Sequence, residues 1–280
     1  MPTFTALLAI LSALAASQRP TAAAERTAIE EAIAHYFRAG DTASAAELRR
    51  AFHPAAMMFS VDKEGALAGV SQPEWWARLD ANKSPMRALG RRFELVDVEG
   101  NAAVAKVVSD YTAFRFEDYM SLLKIGGTWK IVGKIFHRTD TSPDVKAAPA
   151  RDAPAGSAGI ETALRALFRA QDASDAAVLA GICDPRQVTY TLLEGQLVGT
   201  SLAEWQARLT ARRKAGRPEA AMSHRFLLVD AESNAAVAKV AHEGEEARLV
   251  DYVSLLELGG SWRIVGIVTV REARNPAATS

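Results

Sequence analysis

The side chains best suited to chemistry lie in the first half of the sequence. They are Tyr36, His53, Phe59, Trp76, Tyr111 and Tyr119. Aromatic walls with a few polar groups are typical of small-molecule pockets, and histidine can accept or donate a proton near neutral pH. The set therefore predicts a ligand-binding site in which His53 is the only candidate for catalysis. Plain core packing is the alternative for the aromatic residues.

His53 precedes Pro54 at the end of a predicted helix, because proline disfavours helical backbone at the residue before it. Its imidazole could cap that helix or face a pocket as a base or hydrogen-bonding group. Asp110 and Tyr111 come nearest to an acid–base pair, but adjacent strand residues point to opposite faces of a sheet. Asp110 is therefore expected to face solvent, and both interpretations of His53 stay open.

The sequence predicts neither a metal nor a cofactor. It has no Cys/His cluster with zinc spacing, no glycine-rich phosphate loop and no Gly-x-Ser-x-Gly elbow. The single cysteine, Cys183, excludes an intramolecular disulfide and is expected to be a small buried apolar residue.

Charge balance argues against a nucleic-acid partner. Lys plus Arg number 33 and Asp plus Glu number 33, whereas a nucleic-acid footprint needs a basic excess. Residues 4–16 form an apolar run too short to span a bilayer, and small residues follow it. Residues 1–24 are therefore predicted to be a signal peptide, although the first three residues lack a positive charge. The mature protein is expected to be exported, periplasmic or secreted, with no membrane span.

Most of the sequence occurs twice. The string NAAVAKV begins at Asn101 and again at Asn234, and GGTWKIVG from Gly126 returns as GGSWRIVG from Gly259. A repeat of about 110 residues has the size of a domain rather than of a solenoid unit. The predicted organisation is a first domain at 25–138, a linker at 139–158, a second domain at 159–271 and a disordered tail at 272–280.

Each unit changes period midway. Apolar residues recur at helical spacing over residues 25–40, a second short helix follows at 43–52, and a capping box at Ser71 and Glu74 opens a third. After these helices and a short hairpin, alternating strands form a meander. This order indicates an α+β fold. Asp118 and Asp251 persist in both units, which favours a structural role such as an ion pair with Lys106 or Lys239.

The segments around Tyr36, His53–Pro54 and Trp75, with the closing stretches at 118–123 and 127–137, resemble the nuclear transport factor 2-like (NTF2-like) superfamily. The closing stretches are similar to the branch named "putative lumazine-binding", a relative of the SnoaL-like proteins. The resemblance implies a cone in each unit: three helices packed on a curved antiparallel sheet, with a pocket between. It also implies dimers through the sheet, so the two units are expected to pack as an internal pseudo-dimer.

The second unit keeps the scaffold and loses the candidate residues. His53 becomes Asp184, Tyr111 becomes Gly244, and residues 134–137 (KIFH) become IVTV. A ligand site is therefore expected in the first unit only. The leading hypothesis is a non-catalytic small-molecule-binding or envelope-interaction protein. The alternatives are a SnoaL-like isomerase, hydratase or cyclase acting on an aromatic or polyketide-like compound, and a protein-interaction module that uses the sheet face.

Overall fold

The computed structural model describes residues 20–142, 155–216, 222–245 and 247–273. Most of the predicted signal peptide, the middle of the predicted linker and most of the predicted tail lie outside these ranges. Among the described residues, no helix combines the length and apolarity needed to cross a bilayer.

The first domain has three helices and six strands. They are α1 Ala22–Thr42, α2 Ala45–Ala51, β1 Phe52–Val61, β2 Leu67–Ser71, α3 Gln72–Asn82, β3 Gly90–Glu99, β4 Ala102–Asp110, β5 Phe114–Ile125 and β6 Thr128–Asp140. The second domain repeats this order. Its elements are α4 Ala155–Asp172, α5 Ala176–Ile182, β7 Cys183–Leu193, β8 Gln196–Ser201, α6 Leu202–Lys214, β9 Ser223–Glu232, β10 Ala235–Glu243, β11 Ala247–Leu258 and β12 Ser261–Ala273.

Local sequence fixes where the helices begin. The Thr21 side chain accepts a hydrogen bond from the backbone of Ala24, so α1 starts at Ala22, inside the segment assigned to the signal peptide. Ser71 and Glu74 form the predicted capping box, and Ser201 and Glu204 form its repeat. The strand β1 begins directly after α2, so the chain passes through His53 and Pro54 as strand.

The two sheets are mixed, which corrects the expectation of antiparallel sheets. Their strand orders are β2-β1-β6-β5-β4-β3 and β8-β7-β12-β11-β10-β9, and the pairs β1–β6 and β7–β12 are parallel. The helix α3 carries the chain from β2, at one edge of the sheet, to β3, at the opposite edge. Parallel strands require a crossover connection of this kind, and it allows β1 and β6 to pair in parallel. Three further reversals then bring β6 alongside β1 in the same direction.

Each sheet has a helix face, which packs against the helices of its own domain, and a second face, which points away from them. On the helix face of the first sheet, Ile29, Leu48, Phe52, Met120 and Ile131 are completely buried. In the second domain the same face buries Cys183, which is 1% exposed, and loss of solvation raises the pKa of its thiol to about 12. Cys183 therefore occupies the apolar position expected for it.

The second faces of the two sheets pack against each other. One apolar cluster contains residues of both domains: Phe59, Val104, Tyr119, Leu123, Val132, Ile135, Tyr190, Val237, Tyr252, Leu256, Val265 and Val268. At its centre the hydroxyl oxygens of Ser121 and Ser254 lie 3.4 Å apart, beside a cavity of about 30 Å³ that has the size of one water. The repeat thus forms a contact between equivalent faces, as the pseudo-dimer expectation requires.

Polar contacts across this interface obey an approximate two-fold relation. Tyr119 donates a hydrogen bond to Asp230, and the equivalent Tyr252 donates to Asp97 at 2.5 Å. Lys239 lies 2.6 Å from Asp97 and 3.0 Å from Glu99. Its equivalent, Lys106, lies 3.4 Å from Asp230 and 3.2 Å from Glu232. These lysines bind carboxylates of the other domain, so neither is the partner that was expected for Asp118 or Asp251.

Candidate functional site

Three polar side chains meet inside the first domain, between α1 and the sheet. The hydroxyl of Tyr36 donates a hydrogen bond to Asp118 Oδ2 at 2.9 Å. Lys134 donates to the same hydroxyl at 2.9 Å and pairs with Asp118 Oδ1 at 2.8 Å. Side-chain exposure is 0% for Asp118 and 5% for Lys134. A buried charge is costly unless it is paired, and here the charges of Lys134 and Asp118 pair with each other.

A bulge in β6 places Lys134 on the helix face. The β5–β6 register shifts between Ser121 and Leu122, which pair with Gly133 and Ile131, so Val132 is the extra residue. Before the bulge, Ile131 belongs to the helix-side core. After it, Lys134 faces the helices and Ile135 joins the interdomain cluster. A regular strand would put Lys134 against the other domain.

Aromatic rings surround the Lys134 ammonium. Its nitrogen lies 4.5 Å from the centre of the Phe136 ring and 4.7 Å from that of Tyr36. Phe116 and Trp75 are at 5.9 and 6.0 Å. The negative faces of aromatic rings attract a cation, most strongly where water is excluded. The rings therefore help to hold the ammonium inside the domain.

Burial sets the protonation state of Tyr36. Loss of solvation raises the pKa of its hydroxyl well above the usual range, and the negative charge of Asp118 raises it further. Tyr36 therefore stays neutral at physiological pH. It acts as a hydrogen-bond donor rather than as a phenolate base.

Tyr111 lies near the same cluster with a charged pair beside it. Arg91 holds Asp41 through two hydrogen bonds of 2.7 and 2.9 Å, which lower the pKa of that carboxyl. Desolvation raises the pKa of Tyr111, against the opposing effect of Arg91. The ring of Tyr111 stacks on Phe114 at 4.8 Å and meets Phe116 edge to face at 5.9 Å. Tyr111 thus connects the charged pair to the aromatic shell.

His53 and Trp76 lie apart from this triad. His53 accepts a hydrogen bond from the backbone N–H of Ala55 at 3.2 Å, and desolvation, followed by the charge of Lys130, lowers its pKa. Trp76 packs against the helix-side core, with the Arg49 guanidinium 5.1 Å from its ring centre. The indole N–H of Trp76 is buried and has no acceptor among the described residues.

Phe59 and Tyr119 lie on the opposite face of the sheet. Both belong to the interdomain cluster, where the Arg186 guanidinium lies 5.4 Å from the Phe59 ring. Tyr119 is 1% exposed and donates to Asp230 of the second domain. The structure therefore brings Tyr36 and Tyr111 together and separates them from Phe59 and Tyr119.

The second domain keeps the buried aspartate and changes its partners. Asp251 aligns with Asp118, while Leu167 and Ile267 replace Tyr36 and Lys134. The imidazole Nε2 of His242 lies 3.1 Å from Asp251 Oδ2, and Thr269 donates to Asp251 Oδ1 at 2.7 Å. His242 in turn contacts His224, with 2.7 Å between their Nδ1 atoms.

Sequence reasoning missed Lys134, His224 and His242 as site residues. A signal existed for the histidines: they lie nine residues on either side of Ser233, in the turn between β9 and β10, and antiparallel pairing then sets them opposite each other. No cluster of three or more His, Cys, Asp or Glu residues within the described ranges has the arrangement of a metal site.

The comparison with known protein families matches the two repeats separately. The family model described as "Putative lumazine-binding" matches residues 24–137 and 155–268. An NTF2-like protein of unknown function from Shewanella baltica is 31% identical, with 43% of this chain and 98% of that chain covered and a TM-score of 0.39. An NTF2-like protein of unknown function from Methylobacillus flagellatus is 27% identical, with 43% of this chain and 95% of that chain covered and a TM-score of 0.38. A ketosteroid isomerase-like protein from Erwinia carotovora is 16% identical, with 42% of this chain and 96% of that chain covered and a TM-score of 0.35. No curated protein matches the chain.

Proposed function

Because this chain belongs to the "Putative lumazine-binding" family, we propose that it is an exported, non-catalytic small-molecule-binding protein. Its ligand site is the cluster of Tyr36, Asp118 and Lys134 in the first domain, with the surrounding aromatic rings. The observation that carries this proposal is the buried ammonium of Lys134, held by Asp118 at 2.8 Å and by Tyr36 at 2.9 Å.

The chemistry of the cluster indicates the class of ligand. An ammonium has three N–H donors, and its contacts with Asp118 and Tyr36 leave one for a further acceptor. The rings of Trp75 and Phe116 add flat apolar walls. A planar aromatic compound with a carbonyl oxygen suits this combination. Lumazine, the compound in the family's description, has that chemistry.

Binding fits these side chains better than catalysis does. A general base must be free to accept a proton, yet Asp118 is held by an ammonium and a hydroxyl. Tyr36 keeps its proton because of its raised pKa. The polar groups therefore position an acceptor atom and are poorly placed to exchange protons with it.

The test is a fluorescence titration of the full chain with lumazine. Tyr36→Phe keeps the ring and removes the hydroxyl that positions Lys134, so we expect affinity to fall about tenfold, as loss of one hydrogen bond near a charge implies. Lys134→Met removes the donor and should abolish measurable binding. Thr269→Val, the matched control in the second domain, should leave affinity unchanged.

Saturable binding that Tyr36→Phe weakens and Thr269→Val spares supports the proposal. Lack of binding to the unmodified protein, or equal affinity for all folded variants, contradicts it. Because Lys134→Met leaves Asp118 buried without its cation, thermal unfolding must show that this variant folds. Tyr36→Phe keeps the test decisive if it does not.

One observation favours a proton-transfer enzyme as the second candidate. The Tyr36 hydroxyl, a neutral donor, binds the buried carboxylate of Asp118. An isomerase, hydratase or cyclase of this fold would need such a pair of a carboxylate and a donor. The probe is 2-tetralone in heavy water, with deuterium exchange beside its carbonyl followed by proton NMR. Exchange that depends on Asp118 and Tyr36 would favour the enzyme. No acceleration over buffer would favour the binder.

The interaction-module alternative has less support. It requires an exposed apolar sheet face, whereas the faces of the two sheets cover each other, with Tyr119, Val237 and Tyr252 at most 1% exposed.

Export rests on the apolar run at 4–16 and the small residues after it. Cleavage after Ala24 would remove Thr21, which caps α1, whereas cleavage near Ala15 or Ala16 would keep it. We therefore expect the mature protein in the periplasmic or secreted fraction, with an N-terminus before Thr21. Fractionation and N-terminal sequencing test this, and an intact Met1 in the cytoplasmic fraction would contradict it.

A further inference from the structure

We propose that the ligand site of the first domain continues outward along a row of aromatic rings and takes an elongated planar compound of three or more fused rings. This inference rests on the proposed function, because it adds an outer part to the same site. The aromatic row consists of four partly exposed residues at and near the turn between β4 and β5: Tyr111, Phe114, Phe116 and Phe136.

Strand alternation places the aromatic row on the helix face of the sheet. On β5, Phe114 and Phe116 precede Asp118 at intervals of two residues, and on β6 Phe136 follows Lys134 at the same interval. Residues two apart in a strand share a face, and Asp118 and Lys134 both bind a residue of α1. Phe136 also pairs directly with Asp118 across the two strands. The rings therefore lie on the same face as the proposed ligand site.

Ring contacts join the aromatic row to the ammonium of Lys134. The Lys134 nitrogen lies 4.5 Å from the centre of the Phe136 ring and 5.9 Å from that of Phe116. The centres of these two rings are 5.5 Å apart. Phe114 follows at 5.3 Å from Phe116, and Tyr111 at 4.8 Å from Phe114. The row thus runs without a gap from the buried ammonium to the surface.

The aromatic row lies outside both apolar clusters that contain first-domain residues. Within the described part of the chain, neither cluster includes any of the four rings, and none of them is among the partly buried side chains packed against those clusters. Aromatic side chains usually stabilise a fold by burying a large area in its core. Adjacent rings kept at the surface instead favour a binding role.

The second domain keeps the same strands without these rings. At the positions of the aromatic row it has Gly244, Ala247, Leu249 and Thr269. The strands β10, β11 and β12 nevertheless have 9, 12 and 13 residues, as β4, β5 and β6 do. Ala247 pairs with Ala273 just as Phe114 pairs with Asp140. The fold therefore does not require the rings, which occur in the domain that holds the proposed ligand site.

Phe114 shows how the outer rings can receive a flat group. The Arg138 guanidinium lies 4.5 Å from the centre of the Phe114 ring, and guanidinium planes stack on aromatic faces. Arg138 pairs with Asp140 at 2.8 Å, and both side chains are 46% exposed. Because an exposed ion pair contributes little to stability, a ligand ring can displace Arg138 from Phe114.

The length of the aromatic row sets the class of ligand. A carbonyl oxygen at Lys134 brings the first rings of a planar compound beside Phe136 and Phe116. A two-ring compound ends there, whereas a third fused ring continues to Phe114. Burial of the further ring against aromatic side chains is favourable. The site therefore suits a tricyclic or longer aromatic compound with a carbonyl group at its inner end.

The test compares lumazine with alloxazine, which has the same dione ring and a benzene ring fused at the opposite end. In fluorescence titrations of the full chain, alloxazine should bind about tenfold more tightly than lumazine, as burial of one further ring implies. Phe114→Ala introduces the residue that the second domain has at this position. It should remove most of the advantage of alloxazine and change lumazine affinity by less than about twofold. Phe226→Ala, at a partly exposed phenylalanine of the second domain, is the matched control and should change neither affinity.

The comparison of the two compounds on the unmodified protein needs no variant, and Phe114→Leu serves if Phe114→Ala fails to fold. Tighter binding of alloxazine that depends on Phe114 supports the inference. If lumazine itself does not bind in that case, the proposed function fails and the aromatic row stands. Lumazine binding with alloxazine no tighter, or equal losses for Phe114→Ala and Phe226→Ala, overturns the inference and leaves the proposed function intact. Lack of binding of both compounds overturns both.

Discussion

At the residue scale, the two domains satisfy one buried carboxylate in two ways. Asp118 binds Lys134 and Tyr36, while Asp251 binds His242 and Thr269. A carboxylate without partners would be strongly destabilising in such a position. Both aspartates therefore have partners within their own domains. What differs between the domains is the chemistry of these partners.

Glu117 provides a pH-dependent prediction. Its side chain faces the interdomain interface and is 7% exposed; desolvation, and then the charge of Glu232, raise its pKa from 4.5 to about 7. The folded protein therefore keeps this proton in a range where the unfolded chain has released it. Stability contributed by the protonated group is full below about 4.5 and is lost as pH rises to about 7. The shift corresponds to roughly 3 kcal/mol at most.

Glu117→Gln removes this loss. Relative to the unmodified protein, the variant should gain up to about 3 kcal/mol in free energy of unfolding between pH 4.5 and pH 8, measured by urea titration. Glu64→Gln, at an exposed turn residue, is the control and should show no such gain. A difference between Glu117→Gln and the unmodified protein that is the same at both pH values would contradict the assignment.

The candidate residues were only partly predictable. The contrast between the repeats points to Tyr36, because Leu167 stands at its position in the second unit. Strand alternation does not predict the face of Lys134, because the bulge at Val132 shifts the alternation and has no signal in the sequence. The prediction that Phe59 and Tyr119 share a pocket with Tyr36 is wrong, because aromatic composition carries no information on which sheet face a residue occupies.

At the element scale, helices and strands follow from local patterns, whereas strand partners do not. The capping boxes at Ser71 and Ser201 and the turns after β3 and β5 mark element boundaries directly. The parallel β1–β6 pair joins residues more than 70 positions apart, such as Phe59 and Ile135. No short-range signal specifies such a contact, so the meander was predicted and the mixed sheet was not.

Gly69 in β2 gives a prediction at this scale. It lies directly opposite Phe59 in the β1–β2 pair, and a Cβ atom there would come within 2.7 Å of the Phe59 ring. Phe59 is 4% exposed and packed into the interdomain cluster, so the ring cannot move freely. Gly69→Ala should therefore lower the free energy of unfolding by about 1–3 kcal/mol, measured by urea titration.

Gly90→Ala is the control for Gly69→Ala. A Cβ atom at Gly90 meets nothing within 4 Å, so the substitution should change stability by less than about 0.5 kcal/mol. Equal effects of the two substitutions would show that the Phe59 ring does not cover Gly69.

At the scale of the whole molecule, the two repeats pack as an internal pseudo-dimer. Equivalent faces meet, and equivalent contacts occur twice, as in Tyr119 with Asp230 and Tyr252 with Asp97. The symmetry is incomplete, since Val250 of the second domain aligns with Glu117 of the first. Fusion into one chain allows such differences, and it also allows the two helix-side interiors to acquire different polar groups.

The packing of the two sheets predicts a disulfide across the approximate two-fold axis. The hydroxyl oxygens of Ser121 and Ser254 lie 3.4 Å apart, so Ser121→Cys/Ser254→Cys in a Cys183→Ala background should oxidise within one chain without large backbone movement. The chain-entropy model gives about 4–5 kcal/mol of stabilisation for a loop of this length. Thiol titration and unfolding with and without reductant measure both effects.

In the control, Ser109→Cys/Ser254→Cys, Ser109 takes the place of Ser121. Ser109 aligns with His242 on the helix face of its sheet, so this pair should remain reduced. Failure of the first pair to oxidise, or equal oxidation of both pairs, would contradict face-to-face packing of the two domains.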